Sequence, residues 1–419
     1  MEIKKYIYMI TTKLRHNQHF LLLFIIILCG FQFFNYYGID PKINKMVGFL
    51  ITPCLILVSL KTILSNNKDI MFRLMRLLLI SWVLSFFMAL FFWGQSLDLT
   101  YRASSQMLFF VVFFYLCKYH ISRSVIEKII VLLGWLYIVL WLYALYRVPE
   151  VTFGLNADNE ITDISRGIYR LSIVGRLIMI LTYFFYLNKA FIEKHPKYKI
   201  FVIIFFVVIV LQVTRQLILW TAILSLIYLF MERRKLAVIL AILFFISYHS
   251  FTSIQFSNDS VVGAMINLTN DQFDNQLYNT GEDPRITEYK FFFRDWSPSL
   301  VNDLLGNGMP HSDSDYGKFY LTLQSGRMLF LSDVGYGSIF VILGVVGIIL
   351  YLLIFIKPLT ILLPKDLDYV KLFMGFMIPA NIAASWYFGA DGALTIAFCA
   401  YLVYQYNRIH TSGNITTTH

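Results

Sequence analysis

Residues 199–232 read KIFVIIFFVVIVLQVTRQLILWTAILSLIYLFME, an apolar run broken only at Thr214-Arg215-Gln216. One continuous helix would be about 51 Å long at 1.5 Å per residue. A hydrocarbon core of about 30 Å does not hold that length without extreme tilt. The break therefore predicts a hairpin of two short helices, about 22 and 25 Å long. Neither arm then reaches the far surface. Arg215, at the tip, is expected just below headgroup level, on the floor of a cavity that opens outward.

Working outward, similar runs recur along the chain. Spans are expected at 20–36, 46–64, 75–93, 104–118, 129–146, 171–191, 199–213, 216–232, 235–252, 334–356, 369–388 and 390–406. The fold class expected is an all-α polytopic membrane protein with about 12 transmembrane helices. Composition agrees, with 58% hydrophobic and only 14% charged residues, against about 25% charged in soluble domains. The first run is not a cleavable signal, because Lys4, Lys5, Lys13 and Arg15 precede it but no small-residue cleavage site follows.

A net charge of +10 invites a nucleic-acid reading, but the distribution argues against it. Cations gather in alternate short loops, among them Lys61, Lys68, Arg73 and Arg76, then Lys118, Arg123 and Lys128, then Arg233, Arg234 and Lys235. The intervening short loops carry few, chiefly Lys42, Lys45, Arg102 and Arg147. This alternation places both termini in the cytoplasm and residues 147–170 and 253–333 outside. The chain divides into a bundle over 1–252, an extracytoplasmic loop over 253–333 and a C-terminal bundle over 334–419. Cys29, Cys54, Cys117 and Cys399 all fall in apolar runs, so the loop has no disulfide framework. No CxxC or HExxH spacing marks a metal site, and no cofactor is implied.

Several residues stand out for chemistry. Arg215 at membrane depth either snorkels or faces protein and water with a partner. Arg166, Arg170 and Arg176 form a second cluster; Arg166 and Arg170 would share a helix face, or end a loop at the headgroups. Arg176 lies inside the expected span, too deep for easy snorkelling. The dense half of the loop offers Arg285, Glu288, Arg294, Tyr316 and Arg327, with amphipathic helices expected over 286–296 and 318–331. His311 follows the Gly306-Asn307-Gly308 turn and is a candidate base. Asp333 is its rival, or else caps the helix that follows. Guanidinium forks hold phosphate bidentately and stay charged, so a lipid diphosphate leaving group suits this set, with His311 or Asp333 taking a proton.

In organisation the chain resembles the Wzy-type O-antigen and capsular polysaccharide polymerases and the related O-antigen ligases. The likeness rests on span number, one large outside loop in the C-terminal half, and the order of Thr214-Arg215, Arg285 with Glu288, Leu305-Gly306-Asn307-Gly308 and Asp333-Val334-Gly335-Tyr336-Gly337. It implies a class C glycosyltransferase-like fold in the bacterial cytoplasmic (inner) membrane, with the loop periplasmic or extracellular. It implies an inverting, metal-independent transfer from undecaprenyl-diphosphate-linked oligosaccharide, held by Arg215 and Arg285 and activated by a loop histidine. His311 comes sooner after the glycine turn than the family's histidine does. A flippase and a chain-length regulator of the same pathway are expected partners; nucleic acid is not. An O-antigen ligase with a lipid A core acceptor, a lipid-linked oligosaccharide flippase and a non-catalytic scaffold are the alternatives.

Sidedness is directly measurable. In a variant lacking the four native cysteines, Asp313→Cys should react with a membrane-impermeant maleimide in intact spheroplasts, and Lys194→Cys only after permeabilisation. The opposite pattern would invert the topology.

Overall fold

A computed structural model describes residues 17–148, 150–154, 171, 173–212, 214–234, 238 and 284–413. Arg166, Arg170, the span expected at 235–252 and loop residues 253–283 lie outside the described residues. The elements are α1 (Asn17–Gly30), α2 (Pro41–Ile63), α3 (Ile70–Trp93), α4 (Leu97–Ser104), α5 (Met107–Tyr119), α6 (Arg123–Arg147), α7 (Arg176–Ile192), α8 (Pro196–Leu211) and α9 (Arg215–Glu232). After the undescribed stretch come α10 (Pro284–Arg294), α11 (Leu300–Leu305), α12 (Asp315–Arg327), α13 (Gly335–Thr360), α14 (Asp368–Ala380) and α15 (Ala390–Gly413).

Among the described residues, α2, α3, α6, α9 and α13 are long and apolar enough to cross a membrane. The protein is an all-α membrane protein by that measure. Two expected spans differ in detail. The run at 104–118 is the second arm of a broken pair, since α4 and α5 meet at 76°. The run at 369–388 stops being helical at Ala380, just after Pro379. There the Asn381 side chain donates to the Met377 carbonyl at 2.6 Å, in place of the next helical turn.

α7 is apolar all round and buried along nearly its whole length, with α6, α8, α14 and α15 packed against it. A helix with no polar face belongs in the middle of a bundle. Residues 199–232 divide at 212–214 into α8 and α9. α8 starts beside the end of α7. Lys365, which ion-pairs with Glu232 at the end of α9 (2.9 Å), also takes a hydrogen bond on its carbonyl from Asn188 of α7 (2.8 Å). The two arms thus leave from and return to one end of the bundle. The same end carries Asn407 bonded to Asp69 (3.0 Å) and Arg123 bonded to Asp366 (2.6 Å).

At the opposite end, residues 284–333 are docked on the bundle. α13 is broken at Gly344 (φ 68°, ψ −168°), which frees carbonyls that a continuous helix would use. The Asn307 and Gly308 N–H groups take the Val341 and Ile342 carbonyls at 2.7 and 3.1 Å. The approach is backbone to backbone: a Cβ on Gly306 would lie 2.1 Å from the Ile342 oxygen, and one on Gly344 would lie 2.3 Å from the Leu304 oxygen. Both glycines occupy a region of φ/ψ that is essentially closed to other residues. Trp93, at the end of α3, donates to the Asn307 side chain (2.9 Å) and stacks on Tyr316 at 4.3 Å between centroids.

Gly344→Ala and Gly306→Ala should each destabilise the purified protein by about 2 kcal/mol or more, from strain plus forced separation of the two backbones. Thermal melts in detergent would read this; a Gly326→Ala control, with open space around its Cβ position, should melt like the wild type.

Candidate functional site

The N-terminus of α7 carries the most unusual side chain of the structure. Arg176 is only 6% exposed. Its guanidinium donates to the Leu171 carbonyl at 3.1 Å, lies over the Trp386 ring at 5.5 Å and sits beside the Tyr137 hydroxyl. The Nε of Arg176 has no hydrogen-bond partner among the described residues. A buried cation at the positive end of a helix dipole is doubly unfavourable.

Asp391, in the first turn of α15, supplies the compensation. One carboxylate oxygen accepts from the Gly175 and Leu177 N–H groups at 3.2 and 3.1 Å, and the other accepts from Gly392 N at 3.0 Å. It therefore caps the start of α7 from outside that helix and lies within electrostatic reach of Arg176. Gly175 has φ +109°, and a Cβ there would lie 3.3 Å from the Tyr137 ring. Asp391 was missed in reading the sequence. The available signal was that it is the only charged residue between Lys371 and Arg408.

Residues 381–389, which carry Trp386, are irregular backbone between two apolar helices. Such backbone is tolerated at membrane depth where protein or a polar cavity satisfies it. Here the 331–338 run supplies part of that contact. Ser385 N donates to the Ser332 carbonyl (3.0 Å), Ser385 Oγ donates to the Leu331 carbonyl (2.7 Å), and the Tyr387 hydroxyl donates to the Gly335 carbonyl. Gly335 is obligatory, since a Cβ there would lie 2.2 Å from the Asn381 oxygen. From α10, Tyr289 donates to the Ile382 carbonyl at 2.5 Å. One irregular segment thus touches Arg176 on one side and the docked loop on the other.

The sequence-selected residues separate into groups. Arg285 and Glu288 act on Tyr289, whose hydroxyl burial pushes up to about 12, the Arg285 charge opposing that rise and Glu288 adding to it. Glu288 is buried and accepts from Phe330 N at 2.9 Å. Together with Asp333 it also faces Tyr320, pushed up to about 12 chiefly by burial. Asp333 itself is exposed and accepts from the Ser332 hydroxyl at 3.0 Å; α13 begins after Val334 with no side-chain cap, so the capping reading of Asp333 is corrected. Arg285, Glu288 and Asp333 therefore share one neighbourhood.

His311 belongs elsewhere. Its N–H donates to Gln95 Oε1 (2.9 Å), and its Nδ1 accepts from Asp313 N (3.2 Å). Tyr316 is fully buried against Trp93, so its ring is used in packing and not open to a sugar face. Arg327 lies over Phe291 at 5.9 Å, and Arg294 is exposed at the end of α10. Arg215 is exposed at the start of α9. In chemical terms, Arg176 offers a desolvated guanidinium with an N–H in reserve, a group suited to holding an anion. Comparison with protein-family models, curated proteins and solved structures finds no match at all.

Asp391→Ala leaves three buried N–H groups without their acceptor and removes the charge opposite Arg176. It should destabilise by roughly 2–4 kcal/mol. Asp391→Asn keeps an acceptor and should lose clearly less. Equal melting curves for the two variants would show that the carboxylate does not hold α7.

Proposed function

We propose that the protein is a membrane glycosyltransferase that polymerises oligosaccharide repeat units carried on a polyprenyl diphosphate. The observation that carries this reading is Arg176, a buried guanidinium with an unfilled N–H at the meeting point of irregular backbone and the docked loop. A lipid diphosphate has the charge and the depth for such a site, with its tail remaining in lipid. Arg215 and Arg285 join Arg176 as the diphosphate-binding set, and the likeness of overall organisation to polysaccharide polymerases points the same way. The membrane concerned is the bacterial cytoplasmic membrane, with residues 253–333 on its outer side.

In the reaction, an acceptor sugar hydroxyl forms a bond to the anomeric carbon of the donor. The bond from that carbon to the diphosphate oxygen breaks, and its electron pair leaves with the diphosphate. Guanidinium groups stabilise the charge that develops there. The hydroxyl proton passes to a base. Asp333 shares a neighbourhood with Arg285, whereas the His311 ring is engaged in its own turn; both remain assigned as candidates for that proton. Asp391 touches backbone and Arg176, which makes it a positioning residue.

Purified protein reconstituted with a synthetic undecaprenyl-diphosphate repeat unit should yield a ladder of products on a gel. Arg176→Lys, Arg215→Ala and Arg285→Ala should each lower the rate by about 100-fold or more, the scale for losing one transition-state donor. Whichever of Asp333→Ala and His311→Ala abolishes the ladder identifies the base. A wild-type protein that extends no chain under any of these conditions would refute the polymerase reading.

A further inference from the structure

Of the few cations in the short loops of the loop-bearing side, three lie together. Lys42 and Lys45 of α2 and Arg102 of α4 line one cleft of about 430 Å³, together with Met46, Phe49, Asp98 and Tyr101. The lining follows helical spacing on both elements, 42, 45, 46 and 49 on one and 98, 101 and 102 on the other, so two helix faces meet. The Tyr101 hydroxyl donates to the Phe49 carbonyl and closes the floor. Asp98 pairs with Arg102 at 2.9 Å, both side chains remaining about half exposed. Neither lysine forms an ion pair among the described residues, and the cleft is net positive.

The surroundings say what kind of anion belongs there. Ile43, Met46 and Leu50 are 51, 56 and 56% exposed, and exposed apolar residues continue down α2 through Leu57 to Leu64. α2 is the kind of helix that faces acyl chains. A helix so placed brings its charged end to headgroup level, at the end of the bundle where Gln95 ties Met309 and Ser314 (2.8 and 2.6 Å). We propose that this cleft binds the phosphate of a lipid headgroup, with the lipid tail lying along the exposed stripe of α2. Lysine and arginine hold phosphate as paired charges, and an interface position strengthens such pairs relative to open water. The proposal stands independently of any role for Arg176.

The test uses the full chain in neutral detergent micelles and native mass spectrometry to count bound lipid. Dioleoyl phosphatidic acid should bind, and dioleoylglycerol, which lacks the phosphate, should not. Lys42→Gln/Lys45→Gln should weaken phosphatidic acid binding by about tenfold or more, Lys42→Arg/Lys45→Arg should retain it, and Asp98→Asn should tighten it by removing a like charge and freeing Arg102. Arg102→Gln serves as a milder variant, and Lys365→Gln at the opposite end should change nothing. Undiminished binding by the glutamine variants would overturn the site. Inorganic pyrophosphate binding as tightly as the lipid would overturn the lipid assignment in favour of a soluble phosphate.

Discussion

Backbone that crosses a membrane must have its N–H and C=O groups satisfied by protein or by enclosed water, and most of the architecture at one end of this bundle follows from that constraint. α13 is interrupted at Gly344, and the interruption exposes the Val341 and Ile342 carbonyls. The Asn307 and Gly308 N–H groups and the Asn307 side-chain amide use them, and the close backbone approach needs glycine on both sides, at Gly306 and Gly344. Once Asn307 and Gly308 are fixed there, Trp93, Gln95 and Tyr316 are placed, and with them the whole run from 306 to 317. The docked loop is therefore an integral layer of the bundle rather than a mobile appendage.

The same logic applies a few residues away with charge added. The segment 381–389 gives up helical hydrogen bonds; Ser385 N finds the Ser332 carbonyl, the Ile382 carbonyl takes the Tyr289 hydroxyl, and Trp386 faces the start of α7. α7 brings Arg176 inside because the helix itself is surrounded on every side. Asp391 then serves two needs at once, capping α7 and countering its guanidinium. Removing a carboxylate with that double duty disturbs position and electrostatics together, which is why Asn and Ala at 391 separate the two.

How much of this was legible beforehand depended on the range of the interaction. Hydropathy runs and the break at 214–216 are local signals, and α8 and α9 follow them to within a few residues. The helices expected over 286–296 and 318–331 correspond to α10 and α12, each starting two or three residues earlier, but neither has the strongly one-sided apolar face expected of it. Gly306-Asn307-Gly308 was visible as a turn, but its partner at Gly344 lies in an apolar run where one glycine carries no mark. The 76° break between α4 and α5 was hidden inside what reads as a single span. Asp391 escaped because its partners are more than two hundred residues away, and short motifs register only near neighbours. The early end of α14 had a local cue in Pro379, outweighed by the apolar residues beyond it.

Charge distribution adds a last step, since the same cation count behaves differently at the two ends. At the end shared by Asp69 and Asp366, arginine and lysine meet carboxylates: Arg123 with Glu127 and Asp366, Lys365 with Glu232, Lys189 with Glu193. Arg123–Asp366 and Lys365–Glu232 tie separate elements together, while Arg123–Glu127 and Lys189–Glu193 lie within single helices. At the other end acids are more numerous, but some are turned inward, Glu288 onto backbone and Asp391 onto α7. Arg102 there pairs with Asp98 and Lys318 with Asp315, while Lys42 and Lys45 form no ion pair among the described residues. An excess of basic residues on one side orients the chain. Lys42 and Lys45 on the other side are therefore basic side chains placed to meet an outside anion, and function is better sought in such local arrangements than in the total charge.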